Sequence, residues 1–141
     1  MSWSNAYIGI PYAAFGRDLE GADCWGLACI VYACELGVDL PDYLGRYASV
    51  DEQSEISALI DGAASSPLWA QRIGPPRPFD IAVFRQGQFA SHLGLVIRPG
   101  VMLHMVGDDR SKVERYSTGP WSRRLIGEFH WLGKETSDDQ A

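Results

Sequence analysis

The chain has 141 residues, of which 46% are hydrophobic and 21% charged, and this is enough for one ordinary core and too little for two. Its 12 basic and 18 acidic residues give a formal charge of -6, which disfavours a general binder of the phosphate backbone of nucleic acids. We expect a single domain over residues 1–133 and a flexible acidic tail over residues 134–141, which have no apolar anchor.

The N-terminal segment carries neither a targeting pattern nor a membrane pattern. Residues 1–11 lack a basic start and a continuous apolar core, and no later run approaches the ~18 apolar residues of a membrane span. We therefore expect synthesis in the cytoplasm without a signal peptide, and no membrane span. Ser4 to Ile8 predicts one helical turn, which Gly9 and Pro11 end.

A polar loop becomes an almost wholly apolar run at Gly21-Ala22-Asp23-Cys24-Trp25-Gly26-Leu27. The run predicts a buried central helix from Cys24 to Leu36, with Gly37 as its end. Asp23 is a good N-cap, which places Cys24 in the first turn, at the positive end of the helix dipole. Such a thiol has a pKa below the ordinary value of about 8.5 when an imidazole or a cation is also near. The alternative is that Cys24 is one more small buried hydrophobe.

The three cysteines, Cys24, Cys29 and Cys34, lie in this one helix at spacings of five residues, which does not favour a disulfide between any two of them. We expect all three to be reduced, with Cys29 and Cys34 as inert core residues. The chain has no Cys-x-x-Cys motif and no histidine pair at helical spacing. We therefore predict no metal site and no cofactor.

A connection separates the cysteine helix from the C-terminal half. Leu40-Pro41-Asp42-Tyr43 breaks any helix, and Ser49 with Glu52 forms a capping box for a second, amphipathic helix that ends at Gly62. The cluster Gly74-Pro75-Pro76-Arg77-Pro78 then leads the chain into a sheet.

After Pro78 the chain alternates short β-rich runs with turn residues. Because the central helix has no polar face, it needs a cover on nearly all sides, and a sheet is the cover that the sequence offers. We therefore predict an α+β fold in which this helix packs on an antiparallel sheet of about five strands. The strands are Phe79 to Arg85, Ser91 to Arg98, Val101 to Val106, Val113 to Ser117 and Leu125 to Leu132.

Two of the histidines are predicted to share one face of this sheet. Alternation along the strand from Ser91 buries the leucines and places His92 on the other face, where Gly94 leaves room. If the next turn has three residues, His104 lies on the same face at the diagonal position, ~7–8 Å away by Cα. With a two-residue turn the parity fails, and the histidines point to opposite faces.

A cysteine at a helix N-terminus, an imidazole that takes its proton and a second polar group that holds the tautomer of that imidazole are the parts needed for acyl transfer. Cys24, His92 and His104 supply these three parts. A lone strand histidine is more often a solvated or satisfied residue, and we treat His130, beside Trp131, as such a bystander.

Five segments of the chain resemble motifs of one known family: Gly9-Ile10-Pro11-Tyr12, Asp23-Cys24-Trp25-Gly26-Leu27, Phe79-Asp80-Ile81-Ala82-Val83-Phe84, Ser91-His92-Leu93-Gly94-Leu95-Val96 and Met102-Leu103-His104. In this order and spacing they resemble the NlpC-type cell-wall peptidases, which have a papain-like fold. The resemblance covers roughly Tyr7 to Trp131.

The resemblance implies a cysteine endopeptidase, a murein hydrolase, in which Cys24 is the nucleophile, His92 the base and His104 the third polar residue. Members of the family usually cleave the bond from γ-D-glutamate to diaminopimelate, or to lysine, in peptidoglycan stem peptides. A stem peptide is therefore the implied substrate.

Four residues near the nucleophile are candidates for substrate binding. By the resemblance, Tyr12, Asp23 and Ser91 line the substrate cleft. Trp25 stands where secreted members commonly have serine, and it is either a wall of the cleft or a buried packing residue.

Trp25 and Leu40-Pro41-Asp42-Tyr43 resemble the branch of the family found in phage tails and phage-like gene transfer particles. The resemblance implies phage-like tail proteins as partners and action at the cell wall or periplasm after delivery in such a particle. Two alternatives stay open: a weakly active or inactive component of a tail or tip assembly, and a thiol amidase or acyltransferase on the same fold.

Overall fold

The computed structural model of the protein describes residues 3–13, 16–40, 69–86, 89–105 and 109–132. The helical elements are a 3-10 turn (Trp3–Tyr7), α1 (Cys24–Val31), a π-helical turn (Tyr32–Leu36) and α2 (Gly119–Arg124). The strands are β1 (Arg17–Asp18), β2 (Gly21–Ala22), β3 (Trp69–Gln71), β4 (Ile81–Gln86), β5 (Phe89–Arg98), β6 (Val101–His104), β7 (Lys112–Arg115) and β8 (Leu125–Trp131). The predicted amphipathic helix that ends at Gly62 and the predicted acidic tail lie outside the described residues. None of the helices in the described ranges is long and apolar enough to cross a membrane.

Six strands of the described chain form one antiparallel sheet in the order β3-β8-β4-β5-β6-β7, and β1 pairs with β2 in a separate hairpin. With α1 packed beside the sheet, the predicted α+β fold is confirmed. The prediction of about five strands misses β3, because its three residues are too few to show an alternating pattern. It also misses α2, since Gly119 and Pro120 favour a turn by sequence, although proline is well tolerated in the first turn of a helix.

Helix α1 begins where the sequence predicts it. The Asp23 carboxylate accepts a hydrogen bond from the Gly26 backbone N–H at 2.7 Å, which satisfies one of the donors that a first turn leaves without a helical partner. Every residue of α1 except Cys29 is buried, and the helix packs against β5. Gly37 ends the helical segment with a φ of 66°, in the left-handed region that favours glycine.

The sheet is covered on both faces. On one face Val83, Leu95 and Leu103 join the main core, which includes α1. On the other face lies a smaller group, which we call the second cluster, and α2 covers it. The second cluster consists of Ala82, Phe84, Val96, Met102 and Tyr116, with Trp121 and Leu125 packed against it.

The turn between β5 and β6 has two residues, Pro99 and Gly100, because Arg98 pairs with Val101. Gly100 has a φ of 83°, and a proline followed by such a glycine suits a type II turn. The turn is therefore one residue shorter than the one that our prediction for the histidines requires.

A β-bulge compensates for this short turn and keeps the two histidines on the same face of the sheet. The pairing of β5 with β6 shifts between Val96 and Arg98, so one extra residue enters β5. Beyond the bulge Gly94 pairs with His104, which is the register that the three-residue turn predicts. The statement that a two-residue turn separates the histidines is thus wrong for this chain.

Phe79, just before β4, has a φ of 75°, which residues other than glycine seldom adopt. Its ring stacks on Trp3 with the centroids 4.5 Å apart, and its backbone N–H donates to the Val96 carbonyl at 2.9 Å. Its carbonyl accepts from the Tyr32 hydroxyl. These contacts outweigh a backbone cost of about 1–2 kcal/mol.

We predict that Phe79→Gly is more stable than Phe79→Ala by about 1 kcal/mol, the reverse of the usual order of these two residues. Both variants lose the ring and fall below the wild type, but only alanine keeps a Cβ in the left-handed conformation. Urea denaturation of the three proteins measures the difference. An alanine variant as stable as the glycine variant would show that the backbone conformation costs nothing here.

Candidate active site

Cys24 lies in the first turn of α1 and is 7% exposed, and Asp23 before it is fully buried. Further along the helical segment Cys29 is half-buried and Cys34 is exposed. The expectation that both are core residues is therefore wrong for Cys34. The segment is covered only as far as Tyr32, so its last turn reaches solvent.

Three polar side chains form a hydrogen-bonded row across β5, β6 and β7, which we call the histidine row. His92 Nε2 lies 2.9 Å from His104 Nδ1, and His104 Nε2 lies 2.8 Å from Glu114 Oε1. Gly94 and Lys112 are the direct cross-strand partners of His104. His92 and Glu114 each lie two positions from those partners, so both hydrogen bonds join diagonal neighbours on one face.

Both imidazoles of the row are withdrawn from water, since His92 is 5% exposed and His104 is fully buried. Burial, followed by the charges of His104 and Arg124, lowers the pKa of His92 from 6.5 to about 3. Burial also lowers the pKa of His104, against the hydrogen bond to Glu114, which acts to raise it. His92 is thus a neutral base at neutral pH.

Trp121 of α2 covers the two imidazoles. Its ring stacks on His92 with the centroids 4.6 Å apart and meets His104 edge-on at 5.4 Å. The guanidinium of Arg124 lies over the same indole, 5.4 Å from its centroid. A Cβ at Gly94 would lie 2.6 Å from Met102 Sδ and 3.1 Å from His104 Cβ, so the absence of a side chain at this position leaves room for Met102 and His104.

The N-terminal segment holds Tyr12 beside the start of α1. Tyr12 forms a parallel bridge with Ala22, and its backbone N–H donates to the Asp109 carbonyl at 3.0 Å. The buried Ser111 fixes the same segment, since its hydroxyl accepts from the Ile10 backbone N–H at 2.8 Å. The substrate-binding role of Tyr12 and of the other candidates stays a prediction.

Trp25 is 5% exposed and meets Trp69 edge-on in the main core. Ser91 belongs to β5, and its side chain lies outside the described part of the structure. His130 lies in β8, with β4 between it and β5, and takes no part in the histidine row. Among the described residues, no group of three or more histidine, cysteine or acidic side chains could hold a metal ion.

Glu114 is the member of the row that the sequence analysis misses. It lies in the segment Lys112-Val113-Glu114-Arg115, where three of four residues are charged, which is typical of a solvated edge strand. Pairing it with His104 requires the register of β7 against β6, and that register depends on the loop between the two strands. The sequence does show that Glu114 lies two residues from Lys112. This spacing places both side chains on the same face of the strand, but it does not identify the hydrogen-bond partner of Glu114.

Comparison with known families shows which family the chain belongs to. The sequence model of the NlpC/P60 family matches residues 9–130, a range that includes Cys24 and the whole histidine row. The chain belongs to the NlpC/P60 family. The family resemblance is thereby confirmed, while the phage-tail branch stays a prediction. No curated protein sequence matches the chain.

Solved structures of NlpC/P60 proteins share the fold. The NlpC/p60 domain of the peptidoglycan hydrolase SagA is 20% identical, with a TM-score of 0.54 over 79% of this chain and 82% of that chain. An NlpC/P60 family protein from Bacillus cereus is 17% identical, with a TM-score of 0.62 over 89% of this chain and 36% of that chain. A protein similar to a lipoprotein, from Staphylococcus aureus, is 21% identical, with a TM-score of 0.62 over 91% and 38%. This chain therefore spans little more than a third of the latter two proteins.

The lowered pKa of His92 predicts that acid destabilises the protein. Below pH 6.5 the unfolded chain binds a proton at this histidine, whereas the folded chain does not until the pH reaches about 3. The free energy of unfolding should therefore fall from about pH 7 toward pH 5, by at most about 1.4 kcal/mol per pH unit for one histidine.

In His92→Gln this part of the pH dependence should disappear, whereas His130→Gln, a change outside the row, should keep it. Urea denaturation across the same pH range measures both slopes. A slope in His92→Gln equal to that of the wild type would contradict the assignment of a buried, neutral imidazole.

Proposed function

We propose that the protein is a cysteine peptidase that hydrolyses peptidoglycan stem peptides, with Cys24 as nucleophile, His92 as base and His104 as the residue that orients the base. The observation that carries the proposal is the buried hydrogen bond of 2.9 Å between His92 and His104, on a sheet against which the Cys24 helix packs. A thiol at a helix N-terminus and an oriented neutral imidazole suit nucleophilic attack on an amide. Membership of the NlpC/P60 family supports the same assignment.

In the proposed reaction His92 takes the thiol proton of Cys24, and the thiolate attacks the carbonyl carbon of the scissile amide. The C–N bond breaks, the leaving amine takes the proton from His92, and a thioester joins the substrate to Cys24. Water then gives a proton to His92 and attacks the thioester. The C–S bond breaks, the sulfur takes the proton back, and a carboxylic acid is released.

The carbonyl oxygen becomes negative in both steps and needs hydrogen-bond donors. In this proposal the backbone N–H of Cys24, at the start of α1, supplies one donor, and the Tyr12 hydroxyl helps. Removing one such donor typically lowers turnover by about 10²–10³-fold.

The proposed scissile bond joins γ-D-glutamate to diaminopimelate. Two arguments support a stem peptide rather than a glycan. One of the structures that share the fold is a domain of a peptidoglycan hydrolase. A thiolate with an imidazole forms a thioester from an amide carbonyl, whereas glycan cleavage usually needs two carboxylates around an acetal.

We further propose that a phage-like tail or gene transfer particle, with its tail proteins, delivers this enzyme to the cell wall. The support comes from the sequence, in which Trp25 and Leu40-Pro41-Asp42-Tyr43 resemble that branch. Delivery would bring a protein made in the cytoplasm to its substrate in the wall.

Digestion of purified diaminopimelate-type sacculi, followed by mass spectrometry, tests the enzymatic proposal. We expect new amino groups on diaminopimelate, and a loss of at least about 10³-fold in Cys24→Ala, which has no nucleophile. Cys34→Ala removes an exposed thiol elsewhere on the same helical segment and should keep full activity. Full activity in Cys24→Ala would exclude this nucleophile, a freed lactyl carboxylate would indicate an amidase, and new reducing sugars would contradict thiol chemistry.

We also predict that His92→Ala is more damaging than His104→Asn. Losing the base should cost about 10²–10⁴-fold in turnover, whereas losing the orienting imidazole should cost about 10–100-fold. In His104→Asn the new amide oxygen can still accept from His92 Nε2, because it stands near the place of the lost Nδ1. Initial rates on sacculi compare the variants. Equal losses of turnover in the two variants would contradict the assignment of His92 as the base and His104 as the orienting residue.

A further inference from the structure

Glu114 has no role in the family resemblance, yet its carboxylate ends the histidine row. Its Oε1 lies 2.8 Å from Nε2 of the fully buried His104, while the Glu114 side chain is 42% exposed. We propose that Glu114 is a positioning residue that sets the tautomers of both histidines, so that His92 Nδ1 is left as the proton acceptor for Cys24. The role of Cys24 in this inference rests on the proposed function, whereas the tautomers are measurable without it.

The first step concerns the contact between Glu114 and His104. An ionised carboxylate has only acceptors, so the hydrogen in this contact belongs to His104 Nε2. A neutral imidazole carries a single N–H, and burial keeps His104 in the neutral form by lowering its pKa. His104 Nδ1 therefore has a lone pair that faces His92.

The second step concerns the contact between the two imidazoles. The 2.9 Å separation of His92 Nε2 and His104 Nδ1 holds one hydrogen, and since His104 Nδ1 is the acceptor, His92 Nε2 carries it. The neutral His92 then has no hydrogen on Nδ1, which can accept the thiol proton. After it has done so, His92 still donates from Nε2, so the row keeps its hydrogen bonds throughout the reaction.

Without an acceptor at His104 Nε2, the hydrogen bond between the imidazoles can run in either direction. In the reverse direction His104 Nδ1 donates to His92 Nε2, and His92 carries its hydrogen on Nδ1. That tautomer has no lone pair on Nδ1 and cannot take the thiol proton there. Glu114 thus selects the productive direction of the hydrogen bond between the two imidazoles, although it contacts only His104 and not His92.

The neighbours of the row do not supply this acceptor. Lys112 is the direct partner of His104 across the strands, but its ammonium has only donors and pairs with Asp109 at 3.2 Å. Trp121 meets the imidazoles through its ring. Among the described residues, Glu114 is the carboxylate that the structure joins to the row.

Heteronuclear NMR of the histidine ring nitrogens in the full-length protein tests the tautomers directly. Both His92 and His104 should carry hydrogen on Nε2 in the wild type and in Cys24→Ala. Glu114→Lys offers only donors, so both histidines should shift to the Nδ1–H form, and Glu114→Ala should give a mixture. The control Asp39→Asn removes an exposed acid outside the row and should leave the spectrum unchanged. A Glu114→Lys protein that keeps both hydrogens on Nε2 would overturn the inference.

Kinetics on sacculi give a second, independent test. We expect kcat/KM to fall about 10-fold in Glu114→Ala and about 100-fold in Glu114→Lys, with no change in Asp39→Asn. In a His104→Asn background, Glu114→Ala should cause no further loss, because an amide oxygen accepts whatever its neighbour is.

The two outcomes separate the inference from the proposed function. A 10-fold loss from Glu114→Ala in both backgrounds would overturn the tautomer role, since a general structural effect would act in either one. The expected tautomers together with a fully active Cys24→Ala protein would refute the proposed nucleophile and leave the action of Glu114 on the histidines standing.

Discussion

The pairing register of β5 with β6 is the constraint on which the candidate site depends. Side chains alternate between the faces of a sheet, so a slip of one residue would turn His104 to the other face, away from His92. The two-residue turn alone would produce that slip, and the bulge between Val96 and Arg98 compensates for it. The short turn and the bulge therefore act together, and the histidine row exists because both are present.

Burial gives the row its chemical character. Burying two imidazoles in an apolar cluster costs free energy when their nitrogens have no hydrogen-bond partners. Here His92 Nε2 and both ring nitrogens of His104 have a partner at hydrogen-bond distance. The same desolvation lowers the pKa of His92, so the ring is uncharged at neutral pH. Trp121 contributes to both effects, because it covers His92 and His104 and excludes water from them. The packing on this face of the sheet and the uncharged state of His92 thus have one cause.

Contacts between the N-terminal segment and the residues just before β7 complete the region around α1. The hydrogen bond from the Ile10 backbone N–H to the Ser111 hydroxyl joins residues 101 positions apart, and Pro11 bridges Arg110 just before β7. Closing a loop of this length costs conformational entropy, which buried hydrogen bonds and the packing around them offset. The segment that carries Tyr12 and the strand that carries Glu114 are therefore held in place by the same tertiary contacts.

The sequence by itself determined the features that depend on neighbours along the chain. The cap of α1 joins Asp23 to a donor three residues later and so positions Cys24, and alternation along β5 assigned His92 to the face that it occupies. Local patterns also indicated the α+β class and five of the six strands that form the large sheet of the described residues. The tertiary structure decided the rest, since β3 exists through its pairing with β8, and the bulge in β5 is defined only against β6. The hydrogen bond between Glu114 and His104 is also a feature that only the tertiary structure decided. It depends on the register across two strands and on the exclusion of water by α2, and the free energy of the whole sheet sets both.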